Sequence, residues 1–326
     1  MKVFDLLKNK ALEEKKTIVL PEGNDDRILT AASKLLAQGI VNIILLGKPE
    51  QVNAKAKELD LDLTAAKVID PDNYDGFEQM CNDFVSLRKG KNTIQEAQEM
   101  LKDVSYFGTM LVYEGQADGM VSGAVHSTAD TVRPALQIIK TKPGMHRVSG
   151  SMIMERDNEK YIFADCAINI DPDSETLAEI AYQSAKTAQM VNIDPQVAML
   201  SFSTKGSARG EMIDKVKQAV DLVNKNHPEI ACDGELQFDA AFVPSVAASK
   251  APDSKVAGHA NVFIFPELQS GNISYKVAQR LGNFAVIGPV LQGLAAPIND
   301  LSRGCTIEDA YLTIVLTAAQ ANADKD

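Results

Sequence analysis

The sequence predicts an α/β protein of two domains. Short apolar runs that suit buried strands alternate with amphipathic stretches that suit helices, an order that builds parallel sheets through right-handed crossovers. The core material agrees: 45% of the 326 residues are hydrophobic, 6% are aromatic and there is no tryptophan, so Ala, Val, Ile and Leu must fill the interior. A chain of this length has room for two ordinary domains.

The amino-terminal "MKVFDLLKNKALEEKK" reads as an amphipathic helix whose charges interrupt every apolar run, unlike a secretory signal. "KTIVLPEGNDDRILTAASKLLAQGI" holds a buried strand at Ile18 to Leu20, a turn at Pro21 to Asn24, and a helix with apolar positions recurring at three and four. "VNIILLG" is the next strand, which completes a βαβ unit. A charged helical stretch runs from about Gly76 to Leu101, and "GQADGMVSGAVHSTADTVRPALQII" repeats strand, small-residue turn and helix. Pro143 and Gly144 break this pattern, so a domain boundary belongs near residue 143. Two β-rich runs then flank the polar "ERDNEK", the mark of an antiparallel hairpin. Helix "SETLAEIAYQSAKTAQMV", strand "VAMLSFS", helix "GEMIDKVKQAVDLVNK" and strands "GELQFDAAF" and "NVFIFPEL" then build a second α/β domain. The last helix, "IEDAYLTIVLTAAQANA", needs a body to pack on.

A formal net charge of -11 argues against a nucleic-acid binder, which would present a basic surface. A small polyanion is compatible with it if a few cations gather in one place. The cysteines Cys81, Cys166, Cys232 and Cys305 lie far apart without a CxxC pair, which suggests neither a disulfide framework nor a zinc site and leads to the expectation of a reduced, cytoplasmic protein. No apolar run reaches 18 residues, so no membrane span is expected.

There is no GxxxxGK[ST] loop and no GxGxxG after the first strand, which removes the best signals for ATP hydrolysis and dinucleotide binding. "KGSARG", Lys205 to Gly210, is glycine-rich after a strand and is either a ligand loop or an ordinary βα turn. His126, His146, His227 and His259 form no i, i+4 pair and no HExxH, so no metal site is expected. Asp165, Asp171 and Asp173 have chemistry suited to Mg²⁺, but "DPDSE" reads more simply as a turn and helix cap.

Five segments together resemble the phosphate acetyltransferase (phosphotransacetylase) family: "VSGAVHSTADTVRPALQIIKT", "ADCAINIDPDSETLAEIA", "LSFSTKGSA", "VFIFPELQSGNISYKVAQRL" and "GPVLQGLAAPINDLSRGC". Phosphate butyryltransferases and the terminal domains of some malic enzymes are similar in the same way. The resemblance implies two α/β/α domains, isopropylmalate dehydrogenase-like, with the active-site cleft between them. Its first domain would comprise residues 1–143 plus 291–326, because the carboxy-terminal helices return to it, and the extent of the second, residues 144–290, follows from the same resemblance. It also implies a homodimer and reversible acetyl transfer between acetyl phosphate and coenzyme A in a ternary complex. Coenzyme A is then a substrate, phosphate the other product, and no cofactor is needed. Carried over by position, the catalytic serine, arginine and aspartate match Ser302, Arg303 and Asp309, and substrate-binding arginines match Arg133 and Arg88. Cys166 matches a cysteine that we read as structural.

The residue chemistry suits that assignment. Acetyl phosphate is a dianion whose phosphate gains charge as it leaves, and guanidinium groups hold such oxygens by paired hydrogen bonds. Without an adjacent base, Ser302 reads as a hydrogen-bond donor rather than a nucleophile. Asp309 stands three residues after Thr306, as in a capping box, so it is a cap, a base or both. A model thiol and a model aspartate differ by about 4.6 units, roughly 6 kcal/mol against full proton transfer. A basic Asp309 therefore requires burial, concerted proton removal, or a thiolate stabilised by Arg303. The turn from Ser122 to Thr128, with Gly123 and Ser127, is a second candidate anion cradle at a helix start. Rival readings are a covalent route through Cys166, Cys305 or Ser302, a metal-dependent two-domain dehydrogenase, and a non-catalytic binding module.

Overall fold

The computed structural model describes residues 2–323, and the chain divides into two compact units. One comprises Leu7–Lys142 with the chain from Leu294 onward; the other comprises Pro143–Gly293 with the residues up to Leu6. The first residues thus depart from the expectation that residues 1–143 stay together. Val3 supplies the reason, since its side chain is fully buried and its amide donates to Glu155 Oε1 at 2.8 Å.

Helix α1 (Val3–Glu13) leads into β1 (Thr17–Leu20), α2 (Asp26–Ala37), β2 (Asn42–Leu46), α3 (Pro49–Glu58) and β3 (Lys67–Ile69). Then come α4 (Phe77–Leu87), α5 (Ile94–Met100), α6 (Val104–Tyr113), β4 (Gly119–Ser122) and α7 (Thr128–Ile138). The Pro143–Gly293 unit holds β5 (Ser149–Arg156), β6 (Glu159–Ala164), α8 (Ser174–Met190), β7 (Gln196–Leu200) and α9 (Glu211–Asn226). It continues with β8 (Ala231–Leu236), α10 (Phe238–Phe242), α11 (Pro244–Lys250), β9 (Val262–Ile264), α12 (Leu268–Gly282) and β10 (Ala285–Gln292). Strand β11 (Ile298–Asp300) and α13 (Ile307–Ala323) return to the first sheet.

The first sheet has the order β11-β4-β1-β2-β3, parallel throughout. Successive residues of a strand face opposite sides, and β4 shows what covers each. Gly119 faces α13, where a Cβ would lie 2.7 Å from the Thr317 side chain; Met120 faces α6, where Thr109 Oγ1 approaches its sulfur at 3.8 Å. Helices therefore cover both faces, as the apolar strands TIVL and NIILL require. Because β2 and β3 extend to one side of β1 while β4 and β11 extend to the other, the strand order switches between β1 and β4. In open α/β sheets, ligands collect at the carboxyl ends of strands beside such a switch.

The second sheet has the order β10-β5-β6-β9-β7-β8, antiparallel from β10 to β6 and parallel from β6 onward. The expected hairpin is β5–β6, turning at Asp157, which adopts φ 55°. Its core joins Met152, Met154, Phe163, Leu200, Leu236, Phe263 and Phe265.

Three elements differ from the sequence reading. The charged stretch from Gly76 to Leu101 is two helices, because Lys89 and Gly90 both adopt positive φ and end α4. "GELQFDAAF" is not one strand: β8 begins at Ala231 and ends at Leu236, and Phe238 opens α10. The alternation of Leu236, Phe238, Ala240 and Phe242 imitates a strand period over a single helical turn. Strand β7 ends at Leu200, before the expected "SFS".

Candidate active site

Three loops follow β1, β4 and β11 at the switch, and Glu22 joins the first two. It is 6% exposed. Its carboxylate accepts from the amides of Gly123, Ala124, Val125 and His126 at 2.8–3.2 Å, and Oε1 lies 2.8 Å from His126 Nδ1. The expected cradle from Ser122 to Thr128 is thus corrected: its backbone amides already hold an anion, and that anion belongs to the protein. Gly123 is required here, with φ +104° and a Cβ that would meet Leu301 O at 2.6 Å.

The side chains of that turn are committed too. Ser122 ends β4 fully buried, and its Oγ has no partner among the described residues. Ser127 precedes α7, and its amide and hydroxyl both donate to Asp130 Oδ2, which holds the Asp130 carboxyl below its usual range. Thr128 Oγ1 donates to Asp300 Oδ2 at 2.6 Å. Asp300 is 3% exposed, and burial pushes its carboxyl up to about 6 against the opposing hydroxyl hydrogen bonds. Thr131 on α7 also stands beside this carboxyl and opposes the shift, although among the described residues neither its Oγ1 nor Asp300 Oδ1 makes a well-formed hydrogen bond. Protonation of Asp300 supplies a donor among these orphaned atoms.

After β11 the chain turns sharply. The Cys305 amide donates to Ser302 O at 2.8 Å, and the Gly304 amide donates to Ser302 Oγ at 3.2 Å. The side chains of Ser302 and Arg303 are exposed, and no base is bonded to the Ser302 hydroxyl among the described residues. Thr306 and Asp309 form the capping box: the Thr306 amide and hydroxyl donate to Asp309 Oδ2 at 2.8 and 2.9 Å, and the Asp309 amide donates back to Thr306 Oγ1 at 3.1 Å. The Asp309 side chain is exposed.

Arg133 lies on the exposed side of α7. Arg88 caps the end of α4 and donates to Asn92 Oδ1 at 3.2 Å and to Gln137 O at 3.4 Å. Tyr106 lies near both arginines; burial pushes its hydroxyl up while their charges oppose the shift. Gln137 is nine residues beyond Thr128, about 13 Å along the helix axis. Arg88 therefore belongs to the far end of α7, whereas Thr128, Asp300, Ser302 and Arg303 gather at its start. Neither Arg133 nor Arg303 has an ion-pair or side-chain hydrogen-bond partner among the described residues.

The cysteine rivals are weak nucleophiles. Cys166 is fully buried, and burial pushes its thiol well up; burial also raises Cys305, although Arg27 opposes the shift. The three aspartates whose chemistry suits Mg²⁺ are spent separately: Asp165 accepts the Ala167, Ile168 and Asn169 amides, Asp171 pairs with Lys215, and Asp173 caps α8. In "KGSARG", Lys205 pairs with Asp233 and the Gly206 amide donates to buried Glu235.

Sequence reasoning missed Glu22, Arg27 and Asp300. Glu22 and Asp300 bind partners more than a hundred residues away, and Arg27 joins its neighbour Asp25 to carbonyls 97 to 278 residues away, so no local spacing announces their roles.

A family model described as "Phosphate acetyl/butaryl transferase" matches residues 2–318. The phosphate acetyltransferase of Bacillus subtilis (strain 168) is 58% identical over 319 residues, covering 98% of this chain and 99% of that protein. A solved phosphotransacetylase from Streptococcus pyogenes is 56% identical with a TM-score of 0.96, covering 98% of each chain. Another from Staphylococcus aureus is 54% identical with a TM-score of 0.93 and the same coverage. With both sheets, the turn at Ser302 and nearly the full length of the sequence included in these matches, the chain belongs to the phosphate acetyl/butaryl transferase family.

Proposed function

We propose that this acyltransferase is a phosphate acetyltransferase that moves an acetyl group reversibly between acetyl phosphate and coenzyme A. One observation carries the placement of its site: Arg303 and Arg133 present unpaired guanidinium groups from the β11–α13 turn and from α7, two elements joined by the Thr128–Asp300 hydrogen bond. Such groups suit a dianionic acyl phosphate and the charge that grows on its leaving phosphate. The thiol sulfur attacks the acetyl carbon directly, and the carbon–oxygen bond to phosphate breaks with its electron pair on the phosphate oxygen. Ser302 donates a hydrogen bond to the substrate.

Asp309 takes the thiol proton. Proton removal is concerted with attack, with Arg303 favouring the developing thiolate. Arg133 and Arg88 bind substrate along α7, where coenzyme A has phosphates far enough apart to reach both. Ser127 and Thr128 shape the start of α7, their hydroxyls held by Asp130 and Asp300. Coenzyme A acts as substrate, and no cofactor is invoked.

We also propose a cytoplasmic homodimer. Four free cysteines suit a reducing compartment. Ile273, Val277 and Leu281 form a stripe on α12 that is 59%, 50% and 82% exposed, a face suited to a second copy of the chain. No helix among the described residues is long and apolar enough to cross a membrane.

Thioester formation followed by ultraviolet absorbance, with acetyl phosphate and butyryl phosphate in parallel, tests the reading. Faster turnover of acetyl phosphate is expected, with intersecting double-reciprocal lines. An acetylated enzyme formed from acetyl phosphate alone would overturn the direct route.

A further inference from the structure

We propose that Arg27 is a positioning residue for acetyl transfer: it fixes the Ser302–Arg303 turn in its reacting shape and does not itself bind substrate. The proposal rests on the function proposed above. An arginine beside an anion site is ordinarily assigned to the anion, but the hydrogen bonds of Arg27 argue otherwise.

A guanidinium has five N–H donors, and Arg27 uses all five within the protein. Nε donates to Asp25 Oδ1 at 3.0 Å. One terminal nitrogen donates to Arg303 O at 2.8 Å and to Cys305 O at 3.1 Å. The other donates to Asp25 Oδ2 at 2.8 Å and to Ala124 O at 2.7 Å. Nothing remains for a phosphate. The two carbonyls of the 303–305 turn and the carbonyl of Ala124 are held by one rigid plane, so the loops after β4 and β11 share a single template.

Asp25 fixes that plane in turn. Its carboxylate grips the fork of Arg27 while accepting the Arg27 and Ile28 amides as the cap of α2. Burial works to raise the Asp25 carboxyl, but the Arg27 hydrogen bond and the capping amides outweigh it and leave it lowered. Glu22 completes the arrangement from the same β1–α2 segment, taking the amides of the β4–α7 loop while Arg27 takes its carbonyl. Lysine cannot replace this fork, because its three donors radiate from one atom.

The consequence for chemistry follows from connectivity. The carbonyl that Arg27 holds and the guanidinium offered to phosphate belong to one residue, Arg303. Releasing the carbonyl lets the Arg303 backbone rotate, and misplacement by about 1 Å is enough to cost roughly 100-fold in rate.

Steady-state kinetics with acetyl phosphate and coenzyme A should compare wild type, Arg27→Ala, Arg27→Lys, Arg303→Ala and the Arg27→Ala/Arg303→Ala double variant, alongside thermal melting. Arg27→Ala and Arg27→Lys are expected to lower kcat by about 100-fold while both KM values stay within about threefold. Arg27→Ala should cost little further activity once Arg303 is gone. Millimolar guanidinium ion should restore part of the kcat of Arg27→Ala. A rise in KM at unchanged kcat would overturn the proposal by making Arg27 a substrate contact. Additive losses in the double variant would overturn it too, as would loss of the folded state in both Arg27 variants, which would make Arg27 a support of the whole fold. A wild type without thioester formation would end the functional reading and this proposal together; an active wild type indifferent to Arg27 would end this proposal alone.

Discussion

Thr128 Oγ1 donates to Asp300 Oδ2 at 2.6 Å, although 172 residues separate the two along the chain. The bond fastens the first residue of α7 to the last residue of β11, two positions before Ser302. It satisfies only one of the Asp300 oxygens, which makes the buried carboxyl a pH-dependent element of the fold.

Asp300 is pushed up to about 6 in the folded protein by burial, reinforced by the charges of Glu22 and Asp130. A raised carboxyl binds its proton more tightly when folded. Its stabilising contribution is therefore present below the unfolded value near 4 and is lost as pH rises through about 6. The total is on the order of 3 kcal/mol. Urea midpoints of wild type and Asp300→Asn should show this: wild type loses stability relative to the variant between pH 4 and 7. Parallel curves for the two proteins would contradict it.

Glu22→Gln should destabilise the protein by about 2–4 kcal/mol, because the new amide N–H₂ faces backbone donors that needed an acceptor. The measurement is the shift in urea midpoint at pH 7. A change under about 0.5 kcal/mol would mean that the amides of Gly123 to His126 find other acceptors.

Asp309→Asn separates cap from base. An asparagine retains much of the cap, so stability should fall by less than about 1 kcal/mol, while kcat should fall by about 100-fold or more if the carboxylate takes the thiol proton. Activity within a few fold of wild type would leave Asp309 only its capping box.

Val277→Glu places a charge in the middle of the apolar α12 stripe. On the proposed homodimer, size-exclusion chromatography with light scattering should then show a shift toward monomer, with little change in the folding of the monomer because Val277 is half exposed. A variant that elutes and scatters like wild type would move the interface elsewhere.

Much of the fold was legible because short apolar strands and amphipathic helices keep different periods: β1, β2, β4, α2, α8 and α9 stand close to where the pattern puts them. The errors came where one period imitated another, as at Phe238 to Phe242, or where a left-handed residue ended a helix without a strong local sign, as at Lys89. The site was less legible. Ser302 and Arg303 could be located by resemblance and Thr306–Asp309 by spacing, but the cradle at Gly123 was misread. Its filled state depends on Glu22, and a carboxylate that will be buried against amides 101 residues away looks like any other glutamate in a turn.

The return of β11 to the first sheet sets an order of events during biosynthesis. Strand β4 has β1 on one side as soon as both have left the ribosome, but its other flank stays bare while the whole of Pro143–Gly293 is translated. The nascent protein must keep that open edge soluble until Ile298–Asp300 arrives, and only then can Arg27 meet the carbonyls of Arg303 and Cys305. Ribosomes stalled before that point would display a half-built sheet and no working turn, so chaperone dependence and the onset of activity should both track the emergence of the last segment.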